Sequence, residues 1–155
     1  MNDRHSYIEF IEQCYFGNVA EGKFDEILNC FNDDAQVVIR HGDKPERRFA
    51  LLPQATESDL LSFYQHLCEN YECWFGNYHH YIDIEEGSAA SRFTVRLTPI
   101  SSGIYASYAA QELRNCNFFE FRDGRISDMI IYYANPDSQN TKSQQSGKPT
   151  GYPPS

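Results

Sequence analysis

Residues 117–136 read Asn-Phe-Phe-Glu-Phe-Arg-Asp-Gly-Arg-Ile-Ser-Asp-Met-Ile-Ile-Tyr-Tyr-Ala-Asn-Pro, and they constrain the fold more than any other stretch. Two runs rich in β-branched and aromatic residues flank Asp123-Gly124. Gly tolerates positive φ, and the twist of an Asp-Gly turn matches that of the strands it joins. Pro136 cannot donate to a ladder and closes the second run. The body of the chain therefore ends in an antiparallel hairpin. A second segment, 22–37, predicts a short helix passing through the acidic turn Asn32-Asp33-Asp34 into a strand.

Periodicity fills in the remainder. Ile8, Ile11, Cys14 and Tyr15 recur at helical spacing, with Ser6 as the expected cap and Gly17 as the stop. Phe24, Ile27, Leu28 and Phe31 share one face of a helix over 23–31, and a strand over 35–40 follows. Gly42, Pro45 and Pro53 mark 41–56 as a loop, one that could cover a site. Ser58 is the expected cap of a third helix ending near Tyr71, with Leu60, Leu61, Tyr64, Leu67 and Cys68 as its buried stripe. Strands are predicted over 74–84, 89–98 and 104–114, ahead of the closing hairpin. Helices first and a long, mostly antiparallel sheet afterwards describe an α+β domain with helices on one sheet face. Beyond Pro136 the chain is Ser, Gln, Lys, Gly and Pro with a lone Tyr152, a composition that cannot bury enough apolar surface to order itself. The expected organisation is one domain over 1–136 and a polar tail over 137–155.

Strand alternation sorts the side chains by face. In 74–84 the even positions Trp74, Gly76, Tyr78, His80, Ile82 and Ile84 are the more apolar set and are predicted to face the helices. In 89–98, Phe93, Val95 and Leu97 face in, while Arg92, Thr94 and Arg96 face out. Phe119 and Phe121 share parity with Asn117, and with Asn115, Leu113 and Gln111 if no bulge intervenes. One region thus gathers His80, Asn117, Gln111 and Asn115 among Trp74, Tyr78, Tyr64, Tyr15 and Phe119. A buried polar group without a partner costs about 1–3 kcal/mol, and several converging among rings describe a small-molecule pocket. Each alone is more simply a group satisfied by backbone or water.

Composition excludes other classes. Thirteen Lys and Arg against twenty-two Asp and Glu give a net charge of −9, which repels nucleic acid and anionic membranes. No apolar stretch is long enough to span a bilayer and the polar N-terminus lacks a signal-peptide core, so a cytoplasmic protein is expected. The five cysteines include no C-x-x-C pair and read as buried reduced thiols. Cys68 and Cys73 with His66, His79 and His80 match no structural zinc spacing, so neither metal nor cofactor is expected.

The helix-Gly22-helix-Phe31-Asn-Asp-Asp-Ala35-strand segment and Phe119-Glu-Phe-Arg-Asp-Gly-Arg-Ile126 through Tyr133-Ala-Asn-Pro136 resemble the nuclear transport factor 2-like superfamily, and its SnoaL-like branch in particular. The resemblance covers about residues 5–136 and implies a cone-shaped, cystatin-like α+β domain holding a hydrophobic small molecule. It also implies a homodimer through the sheet. Set against ketosteroid isomerases, Tyr15 and Asn117 fall where that group has two carbonyl-polarising donors, while its catalytic base falls on Ile39. Scytalone dehydratases have a histidine close to the position of His80, but their second pocket histidine falls on Phe93. The Asp-Arg-Asp relay of limonene epoxide hydrolases has no inward counterpart here.

Two readings follow. In the first, an isomerase, cyclase or dehydratase acts on a hydrophobic carbonyl or polyketide-like compound. His80 is then the general acid/base, Tyr15 and Asn117 are the donors, and Trp74, Tyr78, Tyr64, Gln111 and Phe119 hold the substrate. In the second, the same fold is a non-catalytic ligand carrier or dimeric interaction module, as the missing base at Ile39 suggests.

Overall fold

The computed structural model describes residues 1–134, so the tail expected over 137–155 lies outside the described residues. The chain begins as one continuous helical segment. It comprises α1 (Arg4–Glu9), a π-helical stretch (Phe10–Phe16) and α2 (Gly17–Glu21). Asp3, not Ser6, is the cap: its side chain accepts from the Ser6 amide, and the Ser6 hydroxyl returns to Asp3 to complete a capping box. Gly17 does not stop the helix, since it holds ordinary right-handed angles. The stop is Gly22 at φ 67°, whose N–H donates to Asn18 and Val19 carbonyls in a left-handed cap that disfavours any side chain. α3 (Phe24–Asn29) and α4 (Leu60–Asn70) complete the helices. Asp59, not Ser58, caps α4 by accepting from the amide and hydroxyl of Ser62.

Seven strands form one mixed sheet in the order β3-β2-β1-β7-β6-β5-β4. They are β1 (Phe31–His41), β2 (Arg47–Ala50), β3 (Ser58–Asp59), β4 (Tyr71–Asp83), β5 (Ser88–Pro99), β6 (Gln111–Arg122) and β7 (Arg125–Tyr133). β1 runs parallel to β7 and β2 to β3, and the other pairs are antiparallel. The hairpin predicted at Asp123-Gly124 joins β6 to β7, with φ of 54° and 75° at its two central residues. Asn32-Asp33-Asp34 is a bulge inside β1 rather than a turn before it: Phe31 pairs with Ile126, and the ladder resumes only at Gln36 with Asp128. The expected loop over 41–56 contains β2, which pairs with β1.

The strand expected over 104–114 starts only at Gln111 and runs on without a break as the first strand of the closing hairpin, to Arg122. Ahead of it, the Asn70 side chain accepts from the Ile104 amide, while Ile100 donates to the Asn70 carbonyl. Gly103 fits there because a Cβ would lie 2.9 Å from Asn70 Oδ1. Local bonds thus take up backbone groups that a longer strand would have offered to the ladder.

The helices cover one face of the sheet. Phe93, Val95, Leu97, Leu113, Phe119, Met129, Ile131 and Ile39 meet Ile11, Tyr15, Phe16, Val19, Leu60, Tyr64 and Leu67 in a single core. Trp74 is the correction of most consequence. It is 41% exposed on the opposite face, with the Arg96 guanidinium 4.2 Å from its ring centre. The cause is a bulge between Gly76 and His79, where Asn77 adopts φ 53°. Before the bulge Tyr71, Cys73 and Phe75 face the core; after it Tyr78, His80 and Ile82 do. Among the described residues, no helix is long and apolar enough to cross a membrane.

Candidate functional site

Across the inner face of the sheet, one lateral row brings His80, Ser91 and Asn117 side by side. His80 on β4 pairs with Ser91 on β5, Ser91 with Asn117 on β6, Asn117 with Ile131 on β7, and Ile131 with Ile39 on β1. The row is polar for three strands and hydrocarbon for two, and Ile39 is its last member.

Asn117 is 1% exposed and lines a hollow of about 20 Å³ beneath the helices, room for about one water molecule. Tyr15 from the π-helical stretch and Tyr64 from α4 line the same hollow, with Phe16, Phe75, Val95 and Ile131 among the apolar wall. The two phenol hydroxyls share a hydrogen bond at 2.7 Å. Asn117 Oδ1 has no hydrogen-bond partner, and its Nδ2 reaches only the Met129 sulfur at 3.7 Å. Burial holds the Tyr15 hydroxyl well above the usual phenol range, so it stays a donor at neutral pH. A hydrogen-bonded phenol pair and an unsatisfied amide thus belong to side chains around one small space whose exposed lining is almost wholly hydrocarbon.

His80 does not line that hollow. Its side chain is 5% exposed and both ring nitrogens are engaged, Nδ1 with the Ser91 hydroxyl at 2.7 Å and Nε2 with a Glu12 carboxylate oxygen at 2.6 Å. The Tyr78 ring stacks on the imidazole at 5.4 Å and 18°. Tyr78 also touches Phe16, the side chain that walls the hollow, so an aromatic partition stands between the two polar groups. Phe119 backs the Tyr15 ring at 6.0 Å, and Gln111 is buried at the far end of β6 opposite Leu97, outside the hollow. Among the predicted site residues the structure therefore joins Tyr15, Tyr64 and Asn117. It sets His80 and Tyr78 beside them and removes Trp74.

Glu12 and Ser91 complete the histidine's surroundings and were not among the residues predicted from sequence. For Ser91 the signal was present: the alternation that turns Phe93 and Val95 inward turns Ser91 inward as well. For Glu12 it was weaker, because a carboxylate beside Ile11 reads as solvated until the π-helical turn swings it toward the sheet. Among the described residues, no group of three or more His, Cys, Asp or Glu side chains is placed to hold a metal ion, and the five cysteines are free.

A cone of helices over a curved sheet, with donors converging beneath it, defines a class of small α+β pocket domains. The model of the SnoaL-like domain matches residues 13–129, and the chain belongs to that family. Its solved structural neighbours include a candidate polyketide cyclase of Xanthomonas campestris pv. campestris. That protein is 18% identical with a TM-score of 0.64, the match covering 92% of this chain and 98% of the other. A cystatin-like protein of Methylobium petroleophilum is likewise 18% identical, with a TM-score of 0.64 and coverages of 88% and 81%. A candidate isomerase of Bacillus subtilis is 14% identical, with a TM-score of 0.69 and coverages of 97% and 99%. At such identities the likeness shows a shared fold. No curated protein matches the sequence.

Proposed function

We propose that this chain binds a small, largely apolar compound carrying a carbonyl, enol or phenol oxygen. It turns that compound over by acid/base chemistry as a SnoaL-like isomerase, cyclase or dehydratase. The observation that carries the reading is the surroundings of the hollow: Tyr15, Tyr64 and the underpartnered Asn117 amide all belong to side chains that wall one small, largely hydrocarbon-lined space. A ligand oxygen there would accept from Tyr15 and Asn117 Nδ2, and those bonds would strengthen as charge develops on it. His80 supplies the proton-transfer capacity that the hydrocarbon at Ile39 lacks. Substrate entry requires the hollow to widen, and Phe16 and Phe75 are the side chains whose rotation would widen it toward β4. The cyclase and isomerase names attached to its neighbours agree with this class of chemistry.

Native mass spectrometry of freshly purified protein, followed by Asn117→Leu, tests the binding step. A retained small molecule that disappears in the variant is the expected result. A wild-type protein that carries nothing, and whose Asn117 amide NMR signals ignore a panel of carbonyl and phenol compounds, rejects it. The hydrocarbon at Ile39 favours a second reading, a non-catalytic carrier, and a retained compound that the wild type releases chemically unchanged would select it.

We also propose that the outer sheet face takes a second copy of this chain. Phe118 and Tyr132 are exposed there in edge-to-face contact at 5.7 Å, and the Arg96–Glu112 pair offers both signs of charge to a two-fold partner. Light scattering should give a dimer that Phe118→Arg splits; a monomeric wild type rejects the arrangement.

A further inference from the structure

His80 is the centre of a chain of hydrogen bonds rather than an isolated imidazole. An ionised carboxylate only accepts, so with Glu12 as carboxylate the Nε2 position carries the ring proton. Nδ1 then has a lone pair only, and the Ser91 hydroxyl donates to it. The two ends of this chain differ. The Glu12 side chain is 29% exposed, whereas Ser91 is 0% exposed and stands directly across the ladder from Asn117. Besides Glu12 and Ser91, Tyr78 stacks on the ring and Arg4 donates to the His80 backbone carbonyl at 3.3 Å.

A second observation concerns the helix. Glu12 and Tyr15, the residues of the first helical segment that hydrogen-bond to His80 and to Tyr64, both lie in the π-helical stretch. Runs of π-helix are uncommon and concentrate at functional sites, where the wider turn re-aims side chains. Here the wider turn aims a carboxylate at one polar group and a phenol at the other.

We propose that Glu12, His80 and Ser91 form a proton relay linking solvent to the hollow, and that Ser91, which lies behind Phe16 and does not line the hollow as it stands, is the member that meets the ligand once Phe16 has turned aside. The proposal rests on the reading of the hollow given above. It narrows the ligand to compounds with a weakly acidic hydroxyl, namely phenols and enols. The ligand O–H proton passes to Ser91 Oγ while the Ser91 hydroxyl proton passes to His80 Nδ1. The ligand is left as an oxyanion held by Tyr15 and Asn117, and the imidazolium is neutralised by Glu12. One O–H bond breaks as one N–H bond forms, and the serine ends as it began. Glu12 acts through His80 and is a positioning residue. Return of the proton to solvent runs past its exposed end.

The test uses 4-nitrophenol as probe, buffered below its own pKa, so that free probe is colourless and bound phenolate absorbs in the visible. In the wild type the phenolate band is expected to grow on titration with protein. Glu12→Gln, which does not touch the probe, should bind it within about three-fold of the wild type yet lose the bound phenolate fraction by about ten-fold, the effect of one pKa unit, and Ser91→Ala should lose the band as well. A band that persists in both variants, or binding to the wild type without any band, overturns the relay while sparing the hollow. No binding to the wild type overturns the hollow and the relay together. Should Ser91→Ala fail to fold, Glu12→Gln carries the test alone, since its partly exposed amide keeps the hydrogen bond to Nε2 and removes only the charge.

Discussion

Two polar clusters share one row of the sheet and have opposite characters. Glu12, His80 and Ser91 satisfy one another, with both imidazole nitrogens engaged at 2.6–2.7 Å. Tyr15, Tyr64 and Asn117 do not close on themselves, for the Asn117 carbonyl faces no donor. A satisfied buried network is stiff and stabilising, whereas an unsatisfied amide costs stability that a ligand can return. The first cluster is therefore built to keep its geometry and the second to change its contacts. Natural sites commonly sacrifice stability in this way where they bind.

The partition between the clusters is the place to break the comparison most severely. Phe16 contacts Tyr15, Phe75, Tyr78 and Phe93 at ring distances of 4.6–5.5 Å. Phe16→Ala should cost about 3–5 kcal/mol in urea unfolding and merge the two polar groups into one cavity. His80→Ala comes next. It strands the buried Ser91 hydroxyl but leaves Glu12 free to turn to water, so about 1–3 kcal/mol is expected. Asn117→Leu should do the reverse and raise stability by about 1 kcal/mol, because it removes a group that is already unsatisfied. A loss of stability there would mean that Asn117 is as well partnered as His80.

Alkaline pH separates the clusters again. Burial raises the folded-state phenol of Tyr15 above the ordinary value of 10.0, and Tyr78 is raised likewise. A raised pKa contributes stability that is full below the unfolded value and is lost as pH climbs past it. Urea midpoints should thus hold up to about pH 10 and fall above it, and Tyr15→Phe should flatten part of that fall. The smallest effect lies on the other sheet face. Trp74 is the single tryptophan, so its fluorescence should be open to a soluble quencher and indifferent to any ligand in the hollow. Protection on ligand addition would return Trp74 to the pocket wall.

Much of this architecture is legible in the residue pattern, and where it is not, the causes are local. The Asp123-Gly124 hairpin and the inward parity of Asn117, Asn115 and Gln111 are readable because β6 keeps its register from Gln111 to Glu120. Trp74 was misplaced because alternation survives only until a bulge, and Asn77 takes its left-handed angle without a glycine to announce it. Tyr15 and Asn117 were identifiable through family resemblance, whereas the Glu12 contact depends on a helical repeat that no apolar spacing reveals. The separation of His80 from the hollow is a matter of which rings fill the space between, which pairwise periodicity does not encode.

The widened helical turn has an evolutionary corollary. A single-residue deletion between Glu12 and Tyr15 would let the segment relax to ordinary α-helix and swing everything ahead of it by about 100° around the axis. Glu12 would leave His80 while Tyr15 kept its place. Length variation at this one spot would thus uncouple the Glu12–His80 contact from the Tyr15–Tyr64 contact without touching a strand, giving descendants of such a chain a short mutational path away from the proposed relay and back.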